Sequence, residues 1–189
     1  MTRRGLLQGM LAAGLWNALA GREAAAQPAV KDMKGIEELQ KSWKTLLAEG
    51  FKAPLPTEPL KLPDAEWKKR LSPAAYSVLR EEGTERAGTS PLNNEKREGV
   101  FVCAGCELPV YTSAMKYESG TGWPSFFTTI SDVFDTKKDY GLFLPRTEYH
   151  CRRCGGHHGH VFDDGPKPTG QRWCNNGVAL RFIPKAGKA

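Results

Sequence analysis

The sequence predicts a mainly β domain: a small antiparallel sheet core with short helices packed on its N-terminal side. Three observations carry this. Short β-rich runs bounded by Gly, Pro, Asn or Asp crowd the chain from residue 100 onward, at 100–103, 110–111, 141–144, 147–151, 160–162 and 178–183. Helical patterning is confined to residues before Gly83. Thirteen prolines and 20 glycines, spread without a repeat, call for many turns. With 40% hydrophobic and 25% charged residues, the 189-residue chain has the composition of one packed domain plus a tail.

The helical part divides in three. Ile36, Leu39, Trp43, Leu46 and Leu47 share one face of a helix over 31–49 that Gly50 ends. Four prolines at 54, 56, 59 and 63 then make 53–63 an extended connector. Asp64 is placed to cap a short helix through Arg70, and Ser72-Pro73 to cap and open another that Gly83 stops.

The N-terminus reads as an export signal. Arg3-Arg4 precedes an apolar run from Leu6 to Ala20, and Ala24-Ala25-Ala26 offers a small-residue cleavage site. Paired arginines look like the twin-arginine route, which implies a periplasmic protein with no membrane span after cleavage. The expected organisation is a signal over 1–26, a helix and connector over 27–62, the domain over 63–184 and a tail over 185–189. Cleavage lowers the net charge from +6 by two, since it removes three arginines and one glutamate. No Lys/Arg stripe remains to favour nucleic acid as a partner.

Four of the five cysteines form two C-x-x-C pairs, Cys103/Cys106 and Cys151/Cys154, each following a predicted strand. Two such turns complete a tetrahedral zinc site. The competing reading is a disulfide in each pair, as export permits. Such local links would constrain almost nothing, whereas zinc ties together segments about 48 residues apart.

Cys174 is left over. Arg172 lies two residues away, on the same face if the segment is a strand, and a guanidinium there favours thiolate over thiol. A buried structural cysteine is the alternative. His157 and His160 directly follow the second C-x-x-C turn, a rigid platform for an imidazole acting as proton donor. A second metal site is the rival reading for them, with Asp163 and Asp164 as the nearest carboxylates. Gly122-Trp123-Pro124 suits either a displayed indole or an ordinary core tryptophan.

Taken together, Gly122-Trp123-Pro124-Ser125-Phe126, the run from Cys154-Gly155 through His157, Gly159-His160-Val161-Phe162-Asp163-Asp164-Gly165-Pro166, Pro168-Thr169-Gly170, and Arg172, Cys174 and Asn176 resemble the B-type methionine sulfoxide reductases. The paired C-x-x-C motifs match the zinc-containing members, and the resemblance spans about 63–183. It implies a β-tent-like fold and reduction of protein-bound methionine-R-sulfoxide. Cys174 would attack the sulfoxide sulfur, with Arg172 favouring its thiolate. His157 and His160 would bind and protonate the oxygen, Asn176 would order the site, and Trp123 would pack on the substrate methyl. The nucleophile would end as a sulfenic acid.

Three positions depart from the family pattern. Thr121 stands where many members carry a resolving cysteine, so the expected cycle uses one cysteine and an external thiol reductant such as a thioredoxin-like protein. His158 replaces the usual Leu, and Trp173 and Gly177 replace the usual Tyr and Ser. Two rival classes exist. A non-catalytic zinc β-module that binds a partner leaves Cys174, His157, His160, Arg172 and Trp123 as coincidences. A C-x-x-C thiol oxidoreductase expects one such pair at a helix start rather than two on strand turns.

Overall fold

The computed structural model describes residues 30–47, 50–140 and 145–185. The export signal, the expected strand over 141–144 and the last four residues of the tail lie outside the described residues. No helix among the described residues is long and apolar enough to cross a membrane.

Helix α1 spans Met33–Lys41 and starts where the Asp32 carboxylate accepts from the Gly35 N–H at 2.8 Å. It is shorter than the apolar pattern predicts, giving way to a 3-10 turn over Ser42–Leu46. Ser42 and Thr45 are the reason: their hydroxyls donate to the carbonyls of Leu39 and Ser42, competing with regular helix bonds. Helix α2 spans Asp64–Arg70, with Pro63 rather than Asp64 in the capping position. The Asp64 carboxylate instead takes the Tyr76 hydroxyl and the Lys68 ammonium. Helix α3, Pro73–Glu81, is capped by Ser72 Oγ as the sequence implies. The left-handed turn after it falls on Glu82, φ 57°, one residue before Gly83.

Among the described residues, nine antiparallel strands form two sheets. The smaller has the order β2-β1-β9, with β1 over Gly99–Cys103, β2 over Pro109–Thr112 and β9 over Leu180–Pro184. The larger runs β3-β4-β8-β7-β6-β5, comprising Lys116–Tyr117, Ser125–Phe126, Arg172–Asn175, His157–Phe162, Arg146–Cys151 and Phe134–Asp139 respectively. The sequence pattern does not reveal β3, β4 or β5, and it leaves β8 conditional. The first two are two residues long, and β5 reads FDTKKD, with its four middle residues solvent-facing.

Aromatic rings fill the space between the sheets. Tyr111 stacks on Phe126 at 3.8 Å, Phe101 meets Phe126 edge-on at 5.1 Å, and Phe134 lies against Tyr149 at 4.8 Å. Strand β1 is buried on both faces because the N-terminal segment covers its outer side. There Val100, Val102 and Ile183 pack against Leu46, Leu47 and Phe51. The segment before the connector is therefore a covering layer of the small sheet, and Gln40 bonds Thr128 at 2.9 Å to hold it.

Candidate active site and metal centre

The two C-x-x-C turns have the same construction. Each leaves the end of a strand, and in each the residue four after the first cysteine has positive φ (Glu107 at 65°, Gly155 at 70°). That residue's N–H donates back to the first cysteine's carbonyl, at 2.8 Å in the first turn and 2.7 Å in the second. All four sulfurs converge in one buried cluster. Cys103 and Cys154 approach to 3.7 Å, and Cys106 and Cys151 to 3.5 Å. A tetrahedral zinc with ~2.3 Å bonds places sulfurs ~3.8 Å apart, so the donor set fits that ion. Sulfur neighbours and burial push the Cys103 thiol well up, as expected where four crowded thiols have no cation to share. Arg80 and Arg153 clamp the cluster by donating to the carbonyls of Cys154 and Cys106, each at 2.9 Å. Arg80 also lies over the buried Trp67 ring, which ties α2 and α3 to the second turn.

From that turn the chain enters β7 and the histidines follow at once. His160 faces Cys174 in register across β7 and β8, and Ser125 faces Cys174 from β4. Gly159 allows this approach: a Cβ there would sit 2.0 Å from the Cys174 carbonyl oxygen. Around Cys174 lies a cavity of about 110 Å³ lined by Trp123, His160, Phe162, Asn176, Arg146 and Thr84, among others. Trp123 is held on its rim by donating to the Glu85 carbonyl at 3.0 Å. Asn176 is buried, bridging the Glu85 N–H and the His158 carbonyl at 2.9 Å each. Glu85 itself also caps the Gly177 and Val178 N–H groups. One upstream glutamate thus fixes both Trp123 and the turn after Cys174.

Of the residues expected at the site, Cys174, His160, Asn176 and Trp123 share the cavity. His157 is off its lining, 99% buried, with its ring 5.5 Å from that of His160. Arg172 is engaged by Asp164 through two bonds of 2.8 and 2.9 Å and stacks over Phe162 at 4.3 Å.

The electrostatics favour the protonated Cys174 thiol. Burial pushes the Cys174 thiol up, and the Arg172 charge and a hydrogen bond from Thr121 pull against it. His160 is shifted down by burial, opposed by Asp139, whose carboxylate lies 3.0 Å from its Nε2. Arg146 shares that carboxylate. The sequence motifs do not show the Asp139–His160 contact, because Asp139 comes from β5.

On the opposite face of β7, His158 enters a buried polar network. Its Nδ1 lies 3.2 Å from Asn175 Oδ1, which also accepts from the Tyr149 hydroxyl at 3.0 Å. Tyr149 in turn reaches the Cys174 carbonyl at 3.2 Å. Burial pushes His158 down to about 3, and its Nε2 has no partner. The unfolded chain therefore takes up a proton below about pH 6.5 that the folded one refuses. This contribution is fully present above pH 6.5 and falls as pH drops toward 3, by up to ~1.4 kcal/mol per pH unit. His158→Leu is expected to flatten the thermal-midpoint profile between pH 6.5 and 4, read by circular dichroism.

Comparison with known proteins agrees with this architecture. The family model described as the SelR domain matches residues 71–184. The chain is 49% identical over 120 residues to the peptide methionine sulfoxide reductase MsrB of Leptospira interrogans, covering 63% of this chain and 92% of that protein. It is 51% identical over 120 residues to the MsrB of Methanosarcina barkeri, covering 63% and 84%. Against the chloroplastic peptide methionine sulfoxide reductase B1 of Arabidopsis thaliana it is 49% identical over 122 residues, spanning 60% of that longer protein. With a four-cysteine cluster shaped for zinc and a lone cysteine at the sheet's cavity, the chain belongs to the SelR-domain family, the family of the peptide methionine sulfoxide reductases.

Proposed function

We propose that this enzyme reduces the R epimer of methionine sulfoxide in peptides and proteins, with Cys174 as nucleophile. The observation that carries the reading is the shared cavity of Cys174, His160, Asn176 and Trp123. The resting site holds its proton on the Cys174 thiol, next to a neutral His160. Transfer of that proton to His160 produces the thiolate, and Asp139 stabilises the imidazolium that results. The thiolate attacks the sulfoxide sulfur while His160, with His157 behind it, returns the proton to the oxygen. The S–O bond then passes to the cysteine, leaving methionine and a Cys174 sulfenic acid. Two electrons have moved from the cysteine sulfur to the substrate sulfur. Trp123 offers the apolar wall for the substrate methyl, and Asn176 holds the turn after Cys174 in place.

The remaining cysteines sit in the metal cluster, so an external thiol completes the cycle. One thiol displaces water from the sulfenic acid to give a mixed disulfide, and a second releases Cys174. The zinc is structural in this scheme and holds the turn from which β7 starts.

Separate R- and S-methionine sulfoxide peptides, incubated with the zinc-loaded protein and dithiothreitol, test the reading. Methionine is expected from the R peptide alone. No turnover of either epimer would instead favour a non-catalytic zinc module. The N-terminal arginine pair further supports export to the periplasm, checked by fractionating cells that produce the full chain.

A further inference from the structure

Glu148 and His150 point to the same side of β6, two residues apart, and His157 joins them from β7. A register shift between Tyr149 and His150 sets His150 opposite His157. One Glu148 oxygen, Oε2, lies 3.4 Å from His150 Nε2 and 3.2 Å from His157 Nδ1. All three ligand atoms fall within 4.8 Å of one another.

We propose that Glu148, His150 and His157 form a second metal site, for a divalent first-row ion such as Zn²⁺, separate from the four-cysteine cluster. The separations are those of a coordination edge: ~2.1 Å bonds in a tetrahedron put ligand atoms ~3.4 Å apart. They are not hydrogen bonds, since His150 Nε2 and both nitrogens of His157 are buried without a hydrogen-bond partner.

The tautomer of His150 suits a ligand. Its Nδ1 lies 3.3 Å from the Gly155 carbonyl, which can only accept, so Nδ1 carries the proton and Nε2 presents a lone pair. A backbone carbonyl on the second ring nitrogen is the usual support of a metal-binding histidine. With the ring neutral, this lone pair faces a carboxylate oxygen, a contact that repels unless a proton or a metal ion lies between. Lys137 occupies the other Glu148 oxygen at 2.9 Å, leaving Oε2 for the ion. Lys137 is itself shared with Glu82, so the two carboxylates and one ammonium leave the cluster one net negative charge. Two imidazoles and a carboxylate suit zinc and its neighbours in the first row.

Occupancy has a consequence that rests on the proposed reaction. A metal on His157 withdraws the imidazole that stands behind His160, so the ion acts as a reversible brake.

Binding is tested without turnover, in zinc-replete protein carrying Cys174→Ser to remove the free thiol. Co²⁺ titration should give one additional equivalent with weak visible bands and no thiolate charge-transfer band. His150→Ala and Glu148→Gln should each weaken it at least about tenfold. No additional equivalent, a thiolate band, or binding unchanged in both variants would overturn the site. Single turnover of the wild type, run without any thiol, should then be inhibited by Zn²⁺. His150→Ala should turn over normally and resist the ion. His150-dependent binding that leaves single turnover unchanged would overturn the brake.

Discussion

Cys174→Ser is expected to remove turnover of the proposed R-sulfoxide substrate, by at least about a thousandfold, while leaving the fold and the metal content unchanged. Deleting the nucleophile of an enzyme that works through a covalent step costs several orders of magnitude, since binding groups alone sustain only the residue. Serine keeps the size and the local hydrogen bonding, and the half-buried side chain has no part in the metal cluster. Retained activity would mean that a different sulfur attacks. The same assay has an informative gain of function. Thr121 lowers the Cys174 thiol pKa from beside it and belongs to a hydroxyl chain through Ser119 to Ser125, which faces Cys174 across the sheet. Thr121→Cys therefore places a second thiol beside the sulfenic acid. An intramolecular disulfide to Cys174 should accumulate after one turnover, detected as the loss of two hydrogens by mass spectrometry. The unaltered chain should instead yield a sulfenic acid that dimedone traps. A disulfide formed in the unaltered chain through one of the cluster cysteines would refute the one-cysteine cycle.

Removing the metal from the four-cysteine cluster is expected to unfold the domain. Structural zinc contributes roughly 10–16 kcal/mol of binding free energy in small sites, against a net stability of about 5–15 kcal/mol for an ordinary domain. In this chain the cluster is the only covalent-strength link between the turn after β1 and the turn after β6 among the described residues, and both sheets end on it. Four buried thiols without a cation would have to share protons in an apolar setting, which adds to the loss. Chelation, or Cys151→Ser, is expected to abolish the cooperative thermal transition and the near-ultraviolet circular dichroism. Activity should vanish with them, since β7 starts from the second turn and carries His157 and His160. A metal-free protein that melts at the original temperature would refute a structural role for the cluster.

The two variants fail differently, and that separates the chemistry from the scaffold. Cys174→Ser should leave a folded, zinc-bearing and inactive protein, whereas Cys151→Ser should leave none.

Much of this was legible in the chain because the chemistry is carried by short, local patterns. A C-x-x-C turn is determined by four or five consecutive residues, so both halves of the metal cluster could be named before any tertiary contact was known. Ser72-Pro73 opened its helix as read, because a cap bonds only three residues ahead. Single-residue boundaries were less legible. Asp64 was drawn from its cap by Tyr76, twelve residues on, and α1 was cut short by two hydroxyls bonding their own backbone.

What only the tertiary structure decided is which distant groups meet. Asp139 reaches His160 from an edge strand whose sequence looks like a charged loop, and nothing in its spacing marks it as part of the site. The rival metal reading of the histidines has Asp163 and Asp164 as its nearest carboxylates in sequence. Asp164 is taken by Arg172, and the carboxylate beside His157 is Glu148, on the neighbouring strand. Sequence by itself determined the ligand types, the turns and the nucleophile's candidates, because covalent spacing and local hydrogen bonds set those. Strand pairing, register and a one-residue shift in β6 determined the partners, because across a sheet proximity depends on how strands are aligned and not on how far apart residues are in the chain.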